Sequence, residues 1–158
     1  MNFKKIFLLI FSFFILHFSV NADVLLPKLI SDGMVLQRDA KVNVWGWADP
    51  NEKVTVSIDG RMYSIKADAS GNWLLKLKKH KAGGPYTMLI EGKNKIEIKN
   101  VVFGDVWLCS GQSNMEMPVK GFDGQPVDRA AQTILEASQQ SGIRMFTLKR
   151  TPRATPQD

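Results

Sequence analysis

The 158 residues are 44% hydrophobic and 23% charged, a globular balance that excludes a disordered or collagen-like chain. The formal net charge is +6, but the 21 basic residues are interspersed with 15 acidic ones and form no basic stripe, which argues against a nucleic-acid partner. Cys109 is the only cysteine and cannot close an internal disulfide, so stability has to come from core burial.

Lys4 and Lys5 precede an apolar run from Ile6 to Val20, and Asn21 and Ala22 follow it. This order of a positive region, an apolar region and small residues is that of a signal peptide, with cleavage expected before Asp23. A membrane span needs about 20 apolar residues, and this shorter run is interrupted by Ser12, His17 and Ser19. The reading is therefore a secreted or periplasmic protein with no stable membrane association after cleavage. Loss of Lys4 and Lys5 takes two charges from +6 and leaves +4, too mild to dictate a partner.

From Asp23 to Val102 the chain breaks into short alternating segments. Lys41–Ala48, Lys53–Asp59, Arg61–Ala67, Asn72–Leu77, Tyr86–Glu91 and Lys95–Lys99 are predicted strands. Val54, Val56 and Ile58 alternate with Thr55, Ser57 and Asp59, and Trp73, Leu75 and Leu77 share a face opposite Leu74, Lys76 and Lys78, as period-two burial requires. Turn residues separate them at Asp49-Pro50-Asn51, Asp59-Gly60, Ser70-Gly71-Asn72, Gly83-Gly84-Pro85 and Gly92-Lys93-Asn94. Strands of this length and spacing, with no helical run between them, predict an antiparallel β-sandwich of the immunoglobulin-like or jelly-roll-like kind.

After Val102 the pattern changes. Asp105 to Cys109 is nearly all apolar and suits a strand buried on both faces, in which Cys109 would be a small buried hydrophobe. Asp128 to Ser141 lacks Gly and Pro and repeats Ala131, Ile134, Leu135 and Ser138 at helical spacing, with Asp128 as N-terminal cap or first-turn acid and Gly142 as the stop. Ile143–Leu148 reads as a second strand, so the region predicts one right-handed βαβ unit. Two strands and one helix cannot cover both faces of a parallel sheet, and the chain runs on into the polar, Pro-containing Thr151–Asp158, so the expectation is a truncated α/β domain. The expected divisions are a signal peptide at 1–22, the β-sandwich at 23–102 and the incomplete α/β domain at 103–158.

The chemistry-bearing segment is Gly111-Gln112-Ser113-Asn114-Met115-Glu116, directly after the first α/β strand. In open α/β sheets ligands bind beyond the carboxyl ends of the strands, where a Ser can present its hydroxyl and nearby backbone N–H groups can face an oxyanion. On spacing alone, a strand-to-helix turn with a capping Ser explains the same residues.

The longer block Gly104 to Pro118 resembles the first conserved block of the sialate O-acetylesterase family of the SGNH hydrolase superfamily. Leu29 to Arg38 resembles that family's opening to its β domain, Val44 to Ala48 its next strand, and Ile143 to Leu148 its second α/β strand. The likeness covers essentially the whole mature chain but roughly the opening third of a family member. It implies an SGNH-type α/β three-layer domain after the β-sandwich, and hydrolysis of O-acetylated sugars such as sialic acid without metal or organic cofactor. Ser113 matches the nucleophile, and its backbone N–H one oxyanion donor; the family's other oxyanion donors, its His and its Asp have no counterpart here.

A serine hydroxyl needs an adjacent base. His17 lies in the signal peptide, and His80, in Lys78-Lys79-His80-Lys81, reads as part of a solvated loop outside the α/β unit. The 158-residue chain by itself is therefore expected to be inactive. Two other readings stand beside this one: a noncatalytic carbohydrate-binding β-sandwich with Trp45, Trp47 and Trp73 as a sugar platform, and an esterase for acetylated xylan or another polysaccharide. Burial of the Trp side chains would count against the first of these. Met115, Met117 and Trp107 are expected to pack around the βα turn, and no His or Cys cluster has metal-ligand spacing.

Overall fold

A computed structural model describes residues 23–140 and 142–148, so the predicted signal peptide and its cleavage site lie outside the described residues. The architecture is mostly β. Seven strands are β1 (Val35–Gln37), β2 (Val42–Trp47), β3 (Lys53–Ile58), β4 (Arg61–Lys66), β5 (Asn72–Leu77), β6 (Gly83–Glu91) and β7 (Lys95–Gly104), followed by helices α1 (Ser113–Glu116) and α2 (Ala130–Ser138). Six of the strands coincide with the alternating segments of the sequence to within a few residues.

The strands form a five-stranded sheet in the order β1-β7-β6-β3-β4 and a two-stranded sheet, β2-β5. All pairings are antiparallel except β1 with β7. One apolar core takes residues from both sheets: Val44, Trp73, Leu75 and Leu77 from the small one, and Val54, Val56, Ile58, Met88, Ile90, Ile98, Val101 and Phe103 from the large one. Leu74, Lys76 and Lys78 are exposed, as the alternation requires.

Local chemistry sets the turns. Asp59 and Gly60 join β3 to β4 with φ of 48° and 68°, the two left-handed residues of a type I′ hairpin. At the β6–β7 turn the Asn94 side chain pairs with both backbone groups of Val24, Oδ1 accepting from its N–H at 2.8 Å and Nδ2 donating to its carbonyl at 3.1 Å. This fixes the start of the described chain as a neighbouring strand would.

The β1 strand and the second half of β7 escaped the alternation for a physical reason. Asn100 has φ of 57° and the β6–β7 register shifts beside it, so the inward parity changes from Ile96 and Ile98 to Val101 and Phe103. The strand then continues to Gly104, where β1 pairs alongside it from Val35↔Val102 to Gln37↔Gly104.

The expected βαβ unit is not formed. Asp105–Cys109 and Ile143–Leu148 are not strands, and Trp107, Leu108 and Met145 are 85%, 89% and 93% exposed. A parallel strand takes hydrogen bonds from neighbours and needs both faces covered; the described residues supply neither. Cys109 is accordingly exposed rather than buried. Helix α2 begins at Ala130, with Arg129 left-handed at the cap position and no side-chain cap, so Asp128 does not play that part. Ile134 and Leu135 on α2 remain 47% and 64% exposed.

Candidate active site

The path to Ser113 starts at the seam between β1 and β7. Arg38 Nε donates to Asp105 Oδ1 at 2.9 Å, and the Val106 N–H donates to Gln37 Oε1 at 2.8 Å. The Arg38 guanidinium, with the Gln37 side chain as a lesser contributor, holds the Asp105 carboxyl below the usual carboxylate range. A second tie comes from Arg144. Its Nη1 donates to the carbonyls of Asn100 at 2.6 Å and Gly33 at 2.8 Å, with Met34 more distant at 3.4 Å, and its Nη2 donates to Asn100 Oδ1 at 2.8 Å. The segment carrying Ser113 and α2 is thus pinned to the β sheet near both ends.

Between those pins, Ser113 opens α1. Gln112 precedes it in extended conformation, and the Met115 N–H donates to the Gln112 carbonyl at 2.9 Å. No side chain caps this turn, so the capping role expected of Ser113 is not seen. A Cβ at Gly111 would overlap Met115 Cγ, so Gly111 is packed closely against the Met115 side chain. Ser113 is exposed. Trp107 does not pack around the turn, whereas Met117 is half-buried.

His80 is far from being a solvated loop residue. Its side chain is only 9% exposed, its ring stacks on Phe103 with centroids 4.1 Å apart, and Tyr86 meets it edge-on at 5.2 Å. Nε2 lies 2.7 Å from Asp59 Oδ2 and Nδ1 2.8 Å from the Lys81 carbonyl. With both ring nitrogens engaged, His80 is a structural clasp between the β3–β4 hairpin and the β5–β6 connection. The other turn aspartates are also structural: Asp32 accepts from the Lys99 N–H at 2.7 Å, and Asp49 pairs with Lys93.

The tryptophans divide. Trp73 is 2% exposed and belongs to the core, with its buried indole nitrogen unpartnered. Trp45 and Trp47 are half-buried on the opposite face of the β2–β5 sheet. Of the residues that tie the Ser113 segment down, Gln37 and Arg38 lie inside the block resembling the family's β domain and Arg144 inside the Ile143–Leu148 block. Their presence in matched blocks was the available signal, but no periodicity gives them a role.

No family model matches the chain. In fold and sequence it is similar to a solved carbohydrate acetylesterase from Xanthomonas citri, which superposes with a TM-score of 0.64 at 41% identity, covering 71% of this chain and 25% of that one. Among curated proteins, it is similar to the sialate O-acetylesterases, as the Gly104–Pro118 block implied. The human protein of that name is 38% identical over 103 residues, covering 57% of this chain and 20% of the relative, and the Pongo abelii one is 39% identical over the same length and shares. The mouse protein is 30% identical over 132 residues, covering 75% and 23%. The chain thus spans about a quarter or less of the length of the relatives it matches.

Proposed function

We propose that this chain carries the nucleophile of an exported carbohydrate esterase that removes O-acetyl groups from sialic acid or a related acetylated sugar. The observation that carries the reading is an exposed Ser113 at the first turn of α1, just after a Gly111 packed against the Met115 side chain, in a chain whose relatives are acetylesterases by name. In this mechanism Ser113 Oγ attacks the acetyl carbonyl carbon, and its proton passes to a base. The sugar oxygen leaves with a proton as the C–O ester bond breaks, and water then hydrolyses the acyl-serine to acetate. The Ser113 N–H donates to the developing oxyanion.

The base and its orienting acid come from outside these residues, because His80 is already engaged and no histidine follows Ser113 in the 158 residues. The assignment of residues 103–158 to an SGNH-type domain, and of 23–102 to an immunoglobulin-like or jelly-roll-like sandwich, rests on the resemblance and on strand pattern. A second reading, an esterase for acetylated xylan or another polysaccharide, is favoured by the solved neighbour, whose name specifies carbohydrate but not sialate.

The deciding experiment measures acetate release from an O-acetylated sialoside and from acetylated xylan. It compares the chain from Asp23, the same chain extended with the remaining length of its relatives, and the extended Ser113→Ala protein. Loss of the base in a Ser-His-Asp hydrolase costs on the order of 10⁶ in kcat, so activity is expected only in the extended protein with Ser113. Undiminished turnover by the extended Ser113→Ala protein refutes the nucleophile. Export is tested by sequencing the N-terminus of secreted material, which is expected to begin at Asp23; retention of Met1 in a membrane fraction refutes it.

A further inference from the structure

Trp45 and Trp47 share the face of β2 opposite Val44, and Trp45 also reaches the core. Trp45 and Trp47 are two residues apart in a strand, roughly 7 Å, and their cross-strand partners are Leu74 and Asn72 on β5. With Asp68 from the turn before β5, these residues border an open cavity of about 230 Å³, and Gly46 and Trp73 lie between them. The cavity sits on the two-stranded sheet, whereas the segment leading to Ser113 leaves the five-stranded one.

Its chemistry is amphipathic. The indoles are half-buried, and Leu74 is 52% exposed beside them. At one end Asp68 Oδ1 accepts the N–H groups of Ser70 at 2.8 Å and Asn72 at 2.9 Å. These bonds, that to Asn72 first, hold the Asp68 carboxyl below the usual carboxylate range, so it is an anion at neutral pH. Among the described residues it is the only charged one lining the cavity.

We propose that this cavity is a saccharide subsite, distinct from Ser113, that takes one neutral pyranose ring. A pyranose offers a C–H face to lie against an indole and hydroxyls to donate to a carboxylate or pair with an amide, which matches flat apolar walls with a polar end. The volume is below the roughly 300–1,000 Å³ of drug-sized sites, which limits the occupant to about one ring and the affinity to the weak range. The Asp68 anion, with no lining cation to offset it, disfavours a sugar acid such as a sialic acid. The site would therefore hold the neutral backbone of a polymeric or branched glycan, and it stands whether or not Ser113 is the nucleophile.

The test is an NMR titration of the chain from Asp23, following the indole N–H signals, with xylotetraose, cellotetraose, mannotetraose and sialic acid. Saturable shifts of Trp45 and Trp47 with at least one neutral oligosaccharide are expected at millimolar dissociation constants, with Trp107 unmoved. Because Trp45 also packs against the core, Trp47→Ala is the variant of choice, and it should weaken binding about tenfold. Asp68→Asn keeps the turn acceptor and should narrow the preference against sialic acid. The proposal is overturned if no neutral oligosaccharide moves those signals, if sialic acid binds the unmodified chain as tightly, or if Trp47→Ala instead abolishes self-association seen by sedimentation, which would make this face a contact between copies.

Discussion

At Gly46 a single missing atom decides how β2 lies against its neighbours. A Cβ there would overlap the Leu25 carbonyl oxygen and come within 2.9 Å of Trp73 Cζ2, while Leu25 and Trp47 exchange backbone hydrogen bonds at 2.8 and 2.9 Å. Gly46→Ala is therefore expected to destabilise the fold by about 1–3 kcal/mol through overpacking, seen as a lower urea midpoint. Glycine in the Trp45-Gly46-Trp47 run is visible in the sequence, but the oxygen that requires it comes from twenty-one residues upstream. His80 shows the same gap in the other direction. Three lysines around it suggest solvent, yet Asp59, Phe103 and Tyr86 converge on it from distant strands. His80→Ala removes the stack and leaves the Asp59 carboxylate and Lys81 carbonyl unmatched, with an expected cost of about 1–3 kcal/mol, measured by the same unfolding curves.

The elements were legible where alternation was unbroken and illegible where it was interrupted. Val54-Val56-Ile58 and Trp73-Leu75-Leu77 declare their buried faces directly, whereas the shift at Asn100 splits β7 and hides its pairing with the three-residue β1. That short strand matters beyond its length, because Gln37 and Arg38 at its end hold the start of the Ser113 segment and Arg144 holds the other side. The Asp105 carboxyl is depressed in the folded protein, first by its hydrogen bond from Arg38. Its contribution is therefore present above the unfolded carboxylate value, near pH 4, and is lost as pH falls through the folded value. Acidification from pH 7 to 3 should loosen the 105–112 stretch before the β core yields. Hydrogen exchange of the Val106 and Cys109 amides by mass spectrometry would show this, and high salt at pH 7 should weaken the same exposed contact. Arg144→Ala, which removes four hydrogen bonds to Gly33, Met34 and Asn100, should raise the rate of proteolytic cleavage between 105 and 148 several-fold while leaving unfolding of the strands unchanged.

The whole molecule is uneven in a way that predicts its behaviour in solution. The seven strands enclose one core, but residues 106–148 leave Val106, Trp107, Leu108, Leu135, Ile143, Met145, Phe146 and Leu148 more than half exposed. Apolar surface on that scale binds hydrophobic dyes and promotes association. The chain from Asp23 should therefore bind 8-anilinonaphthalene-1-sulfonate, and limited proteolysis should leave a resistant core ending close to Gly104 together with a rapid loss of that binding. Survival of the C-terminal segment instead, or of no core at all, would contradict this. The sequence by itself determined six strands, their inward faces, the hairpin at Asp59-Gly60 and the block around Ser113, because period-two burial, left-handed turn residues and contiguous motifs are all properties of neighbours along the chain. Only the tertiary structure decided that β1 pairs parallel to β7, that His80 is a clasp, that Trp45 and Trp47 are half-buried beside a cavity while Trp73 is buried in the core, and that Asp105–Cys109 stays outside any sheet. Each of these depends on a partner more than twenty residues away or on a neighbouring strand, and no local pattern carries that information.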